Sequence, residues 1–350
     1  MFSNAFITLG QIFNKVVYGN NDKNYEYYTE VNNLLELVNS YYNYNGWFSS
    51  EFVKMQLKSL TEMLNENEIN NFANKYQLNN IQLSDKKVKI ISAGNIPLVC
   101  FHDIFCVLVS GFKLVIKYSS KDKLLPMAVL SILSKIEPQL KDRIEEETGT
   151  NIKFDAIIAT GNNNSGRYFD YYFSKYPNII RKNRNSVAVL TGNETEEDFK
   201  SLANDIFAYY GLGCRSVSKI YVPQGYDYNI FFKNILFASD IINNAKYSDN
   251  YDYNKAVYLM SDAKILDNGF LLLKQDRGMS SPVGVLFCEE YQNLEQLGEY
   301  FNDNKELLQC VVSQTEIPQI KTVCFGQAQH PKLNDFADGV DTIEFLKSII

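Results

Sequence analysis

The stretch YYGLGCRSVSK, Tyr209 to Lys219, sets one cysteine between a pair of glycines and an Arg-Ser pair. A cysteine held only by packing sits in an apolar run and needs no turn to present it. Cys214 on a glycine turn, with Arg215 beside it, has instead the surroundings of a nucleophile. A nearby cation or a set of backbone N–H groups lowers a thiol from its usual pKa of about 8.5 and raises its thiolate fraction. Such a thiolate attacks an acyl carbon and carries the acyl group as a covalent intermediate. The other cysteines, Cys100, Cys106, Cys288, Cys310 and Cys324, form no C-x-x-C pair and read as structural. His102, between Phe101 and Asp103, reads as a satisfied helix histidine. His330 reads as a tail residue, with a proton relay as its alternative role.

A second set of residues is built for anions. In FDAIIATGNNNSGRYFDYYFSKY an apolar strand from Phe154 to Ala159 runs through a Gly and Asn turn into a helix carrying Tyr168, Phe169, Tyr172 and Phe173. The free N–H groups at a helix start attract phosphate, so Thr160, Gly161, Asn162 and Gly166 are candidates for a dinucleotide pyrophosphate. T-G-x-x-x-S-G is not the G-x-G-x-x-G fingerprint, and a plain tight turn with an N-cap stands as the equal alternative. Upstream, KVKIISAGNIPLVCFHDIFCVLVSGFKLVIKYSS reads as strand, Gly-Asn-Ile-Pro turn, apolar helix, Gly111 and a second strand ending at Lys117. A right-handed βαβ crossover puts Gly94–Pro97 and Lys117–Ser120 on one rim at the strand ends.

The elements that must position these residues follow from length and patterning. A chain of 350 residues exceeds a single core of roughly 250 to 300 residues, which favours two lobes with a cleft. Hydrophobic residues at 45% against 21% charged set disorder aside. With 34 basic and 41 acidic residues the net charge is -7, which removes the electrostatic case for nucleic acid. Two histidines and no C-x-x-C pair argue against a metal and for a reduced, cytoplasmic protein. No run reaches the ~20 apolar residues of a membrane span. Phe2, Phe6, Leu9, Phe13 and Val17 predict an amphipathic helix without the basic region or cleavage site of a signal peptide. Residues 1 to 84 form a helical layer, with Ser49 or Ser50 as the N-cap before Phe52, Met55 and Leu60. From Tyr209 onward strands and helices alternate again, and the tail ends in a short helix after Asp338-Gly339.

Taken in order, AGNIP, KYSS, ATGN and GLGC resemble the signature turns of the aldehyde dehydrogenase superfamily. Those are an oxyanion-hole asparagine in P-W-N-F-P, a ribose-binding K-P-S-E strand end, T-G-S near the pyrophosphate, and the nucleophile in G-Q-x-C. The likeness runs from about Lys86 to Ser313, and the ending FGQAQHPKLNDFADGVDTIEFL is similar to that of the acyl-CoA reductases of the LuxC type. The resemblance implies an α/β, aldehyde dehydrogenase-like fold of two α/β lobes, a Rossmann-like cofactor domain and a catalytic domain. It implies a helical layer plus cofactor domain over 1–205, a catalytic domain over 206–320 and a tail, 321–350, returning to the cofactor domain. It also implies Cys214 as nucleophile and Asn95 with the Cys214 N–H as oxyanion donors. Lys117, Ser119, Ser120, Thr160, Gly161, Asn162 and Gly166 would bind cofactor.

Three departures refine that expectation. Hydrolytic members carry E-L-G-G, whose glutamate activates water; NIIRKNRNSVAVLTGNE has no carboxylate before Glu194. An enzyme that reduces an acyl thioester needs no such base, so acyl-CoA or acyl-carrier protein is the expected acyl donor and an aldehyde the product. Ser120 replaces a glutamate that often grips the ribose 2′-hydroxyl and lies beside Lys121 and Lys123, which favours NADPH over NADH. The glutamate before G-P-V is replaced in DRGMSSPVG by Gly278 or a neighbour. Aldehyde oxidation with an unrecognised base and a non-catalytic nucleotide-binding scaffold are the alternatives, and a homo-oligomer is expected by resemblance.

Overall fold

A computed structural model of the protein describes residues 2–19, 22–149 and 152–349. It divides into two compact units, Met1–Asn183 with Pro331–Ile350, and Arg184–His330.

The first unit opens with four helices. Phe2, Phe6, Leu9, Phe13 and Val16 are buried along one side of α1 (Ser3–Tyr18), with Val17 at the margin. Gly10 lets α1 approach closely, since a Cβ there would stand 2.8 Å from the Leu64 Cβ. After α2 (Tyr28–Ser40), the Ser49 hydroxyl accepts the Phe52 N–H at 3.2 Å and starts α3 (Ser50–Met63). Its buried stripe is Val53, Leu57, Leu60 and Met63, so Phe52 and Met55 lie at its edge. Asn65 caps α4 (Glu66–Lys75) in the same way.

Five parallel strands follow: β1 (Lys87–Ile91), β2 (Lys113–Lys117), β3 (Ile144–Glu146), β4 (Ala156–Thr160) and β5 (Asn178–Arg181). They are joined by α5 (Phe101–Val109) between β1 and β2, α6 (Leu124–Ile136) between β2 and β3, and α7 (Asn163–Phe173) between β4 and β5. Val88, Ile90, Leu114, Val115, Ile116, Ile157 and Ile158 are all buried, as strands covered on both faces require. The order is β3-β2-β1-β4-β5: the chain winds outward from β1 to β3, then returns to the other side of β1. Winding therefore reverses between β1 and β4, the place where α/β sheets open a ligand crevice at their carboxyl ends. The strand anticipated from Phe154 runs from Ala156 to Thr160 instead, and Tyr168 and Tyr172 of α7 are exposed.

The second unit holds β6 (Asn185–Val189), α8 (Glu196–Phe207), β7 (Val217–Pro223), α9 (Tyr228–Ile235) and α10 (Ala245–Met260). It continues through β8 (Ile265–Asp267), β9 (Leu272–Gln275), β10 (Val285–Tyr291), α11 (Leu294–Asp303), β11 (Leu308–Val312) and β12 (Thr322–Val323). The sheet runs β12-β11-β6-β7-β10-β9-β8, parallel except for β8 against β9. Because β6 is hydrogen-bonded between β7 and β11, the first boundary falls at Asn183/Arg184 rather than at 205/206. Because β12 still pairs with β11, the second falls at His330/Pro331 rather than at 320/321. The tail belongs to the first unit through α12 (Thr342–Lys347): Arg181 forms a buried ion pair with Asp103 and donates to Thr342 Oγ1 at 3.2 Å. Among the described residues no helix is long and apolar enough to cross a membrane.

Candidate active site

In the second unit the cysteine turn is built from left-handed residues. Tyr209 (φ 53°), Tyr210 (φ 57°) and Gly211 (φ 76°) all lie in that region. Glycine enters it freely, but two consecutive buried tyrosines there store strain, which persists only where surrounding contacts over-determine the backbone. The contacts are visible. Ser216 donates its hydroxyl to the Ala208 carbonyl at 3.1 Å and its N–H to the Gly213 carbonyl at 3.0 Å. Ser186 of β6 donates to the Cys214 carbonyl at 2.9 Å. The turn feeds β7 at its amino end and leaves Cys214 exposed. The two tyrosines supply most of the left-handed turn, a feature the glycine pattern did not announce.

The Arg215 guanidinium is engaged within its own unit, with Nη1 donating to the Ala328 carbonyl at 3.3 Å. The loop that carries Ala328 is held by Asp205 of α8, which accepts the N–H of Gly326 at 2.6 Å and of Ala328 at 3.1 Å. Burial pushes the Asp205 carboxyl up to about 7 despite these two amides, which pull it down. Glu194 is committed to its own turn as well: one oxygen accepts from the Thr191 N–H and hydroxyl, the other from the Gly192 N–H. In the loop before β10, Asp276 accepts the Gly278 N–H at 2.8 Å and pairs with Lys274. His102 Nε2 lies 2.9 Å from the Leu333 carbonyl, and His330 is half-buried near the end of its unit.

In the first unit, three adjacent strands bring the anticipated cofactor residues to one carboxyl edge. Ile91 at the end of β1 faces Lys117 of β2 on one side and Ala159 of β4 on the other. Asn95 is exposed on the turn after β1. That turn lies against the next one: a Cβ on Gly94 would come within 2.4 Å of Ser119 Oγ. Ser120 and Lys121 are exposed beside it, and neither Lys117 nor Lys121 has an ion-pair partner among the described residues. Lys123 is not available in the same way, because it pairs with Glu146. The carboxylate of this turn, Asp122, is fully buried and faces inward, accepting the Leu98 N–H at 2.7 Å and the Tyr41 hydroxyl at 2.9 Å. The rim thus offers exposed cations and hydroxyls, a surface suited to an anionic nucleotide.

The third turn is more self-contained. Asn162 caps α7 by accepting the Ser165 N–H at 2.8 Å. A Cβ on Gly161 would meet Ser165 Cβ at 2.8 Å, and one on Gly166 would meet Lys182 Cγ at 2.8 Å. Both glycines therefore have a packing reason of their own, and Thr160 closes β4 beside Arg181 of β5.

Sequence comparison matches the chain to no family model and to no curated protein. Structural comparison does find likenesses. Aldehyde dehydrogenase 21 from Physcomitrella patens, solved with its reaction product succinate, superposes with a TM-score of 0.62 at 12% identity, over 99% of this chain and 84% of that one. An NAD-dependent aldehyde dehydrogenase from Sinorhizobium meliloti gives 0.60 at 12%, over 91% and 74%. An NAD-dependent benzaldehyde dehydrogenase from Corynebacterium glutamicum gives 0.59 at 11%, over 91% and 80%. At such identities the likeness speaks for architecture alone, and the architecture of this chain is the aldehyde dehydrogenase fold.

Proposed function

We propose that the protein reduces fatty acyl thioesters, carried by coenzyme A or an acyl-carrier protein, to aldehydes with NADPH through an S-acyl intermediate on Cys214. The observation that carries this reading is an exposed thiol on a strained turn, in a unit where Glu194 and Asp205 both spend their oxygens on backbone amides. Both carboxylates are thus engaged by amides of their own unit, which supports reduction over hydrolysis as the fate of an acyl-enzyme.

In this reading the Cys214 thiolate bonds to the thioester carbonyl carbon, and the bond from that carbon to the carrier sulfur breaks. The carrier thiolate departs and takes up a proton. The Cys214 N–H faces the transient oxyanion, and Asn95 is the second candidate donor by motif resemblance; one such donor is worth about 3 to 4 kcal/mol. Reduced nicotinamide, when bound, supplies the hydride for the acyl carbon. Breaking the Cys214 sulfur–carbon bond then releases the aldehyde and restores the thiolate. Lys117, Ser119, Ser120 and Lys121 would hold the adenosine end, a fit supported by the exposed cations and the inward-facing Asp122. Thr160, Gly161, Asn162 and Gly166 remain the candidates nearest the pyrophosphate.

Incubation with a mass-tagged acyl-CoA tests the reading. An adduct on the Cys214 peptide, absent from Cys214→Ser, supports it; equal labelling of Cys214→Ser sinks it. The names of the solved neighbours favour a second reading, aldehyde oxidation. Product analysis separates the two: aldehyde from acyl-CoA and NADPH, or acid from aldehyde and an oxidised nicotinamide.

A further inference from the structure

The hydroxyl of Ser186 has two neighbours. It lies 2.9 Å from the Cys214 carbonyl oxygen and 2.9 Å from Cys310 Sγ. A hydroxyl has one proton, and a carbonyl only accepts. The Ser186 proton therefore goes to Cys214, and the bond to Cys310 runs the other way, from the thiol S–H to the serine oxygen. That direction needs a protonated thiol. Burial supplies it, pushing Cys310 up to about 11 against the opposing influence of Arg215 and Ser186.

The backbone is shaped around the same three residues. Ser186 and Cys310 face each other across β6 and β11, and the register of that pair shifts between Leu308 and Cys310. On its other side β6 also slips, between Ser186 and Val187, against β7. Bulges re-aim side chains and gather beside active sites. Here two irregularities flank one buried serine, and the side chain so aimed reaches the carbonyl of the nucleophile.

We propose that Cys310 S–H, Ser186 O–H and the Cys214 carbonyl form a directed hydrogen-bond chain that positions the nucleophile, with Ser186 and Cys310 as positioning residues. The Ser186 bond fixes the orientation of the peptide that follows Cys214, a second clamp on the turn besides that of Ser216 at Ala208. The buried thiol keeps the serine proton aimed at that carbonyl. The proposal rests on the reading of Cys214 as the nucleophile, whatever electrophile it takes, and gives Cys310 a task beyond filling space.

The test uses the full chain as wild type, Ser186→Ala, Cys310→Ala, Cys310→Ser and Cys214→Ser. Acylation of Cys214 by decanoyl-CoA and its alkylation by iodoacetamide are timed by peptide mass, with melting temperature measured alongside. Ser186→Ala and Cys310→Ala should each slow acylation roughly tenfold, the scale of one lost hydrogen bond. Cys310→Ser, which restores an O–H donor, should recover to within about threefold of wild type. Wild-type rates in Ser186→Ala, or Cys310→Ser as slow as Cys310→Ala, overturn the proposal. If Cys310→Ala does not fold, Ser186→Ala and Cys310→Ser decide it. If wild type takes no acyl group, the functional reading fails, and slowed alkylation in Ser186→Ala still supports the chain while unchanged alkylation overturns it.

Discussion

The carboxylate of Asp122 accepts the backbone N–H of Leu98 at 2.7 Å, and Leu98 is the left-handed residue (φ 54°) of the turn that carries Asn95. A buried charge thus holds a strained backbone in place. Burial pushes Asp122 up from 3.8 to about 6, against the downward pull of Leu98 and Tyr41. Between those two values the folded chain keeps a proton that the unfolded chain has released, so this group's contribution makes stability fall as pH rises from about 4 to 6. Asp122→Asn keeps an acceptor for Leu98 and can donate to Tyr41, but does not titrate. It should match wild type at low pH and exceed it above pH 6 by up to about 3 kcal/mol, the equivalent of two pKa units. Urea unfolding across the range checks this, and parallel profiles would contradict it. Asp122→Ala should instead lose about 1 to 3 kcal/mol by leaving the Leu98 N–H without its acceptor.

Gly94 is needed for contact rather than for backbone freedom. A methyl group there would sit 2.4 Å from Ser119 Oγ and 2.8 Å from Ser119 Cβ. Gly94→Ala should cost about 1 to 3 kcal/mol as the two turns are pushed apart. On the proposed function it should also weaken nicotinamide nucleotide binding. Adding Ser119→Gly should restore most of both. Thermal melts and nucleotide titration of the single and double variants decide the matter, and an unshifted melt of Gly94→Ala would argue against the contact.

Asp205 anchors its loop by two amides at once. Asp205→Ala should speed hydrogen exchange at Gly326 and Ala328 while the β6–β7 core stays protected, because only the loop loses its acceptors. Since burial raises this carboxyl to about 7, the folded state holds its proton between the ordinary 3.8 and that value, and its contribution to stability falls as pH rises through that window. Asp205→Asn should flatten that part of the profile. Loss of protection throughout the second unit, rather than at the loop, would show a wider structural role.

Local pattern accounts for what is legible in the sequence. The βαβ unit around Gly111, the Ser49 cap and the exposed Cys214 turn each depend on neighbours within one or two turns of chain, where periodicity and turn chemistry operate. Asp205, Ser186 and Cys310 were not distinguishable. Ser186 and Cys310 are 124 residues apart in sequence, and each sits in an apolar strand that reads like any other. Tyr209 and Tyr210 hid for another reason: aromatic residues rarely adopt left-handed backbone, so their type gives no hint of it. Arg184 to Asp205 looked continuous with the first sheet because strand and helix alternate across the boundary, and only pairing partners assign β6 to the second.

Cofactor choice is tested at the end of β2, where Lys117, Ser120 and Lys121 are exposed and Asp122 turns inward. With Lys123 tied to Glu146, the proposed preference for a 2′-phosphate would fall chiefly to Lys121. Ser120→Glu would set a carboxylate where that phosphate is proposed to lie, and like charges so placed cost several kcal/mol. NADPH affinity should fall at least about tenfold while NADH affinity changes little. Lys121→Ala should weaken NADPH by a smaller factor and reduce the salt dependence of its binding, since an exposed pair is partly screened. Titrating both nucleotides against wild type and the two variants, at low and high salt, reads each effect. Equal weakening of NADPH and NADH, or a wild type that prefers NADH, would remove the charge argument and leave the rim as a general nucleotide site.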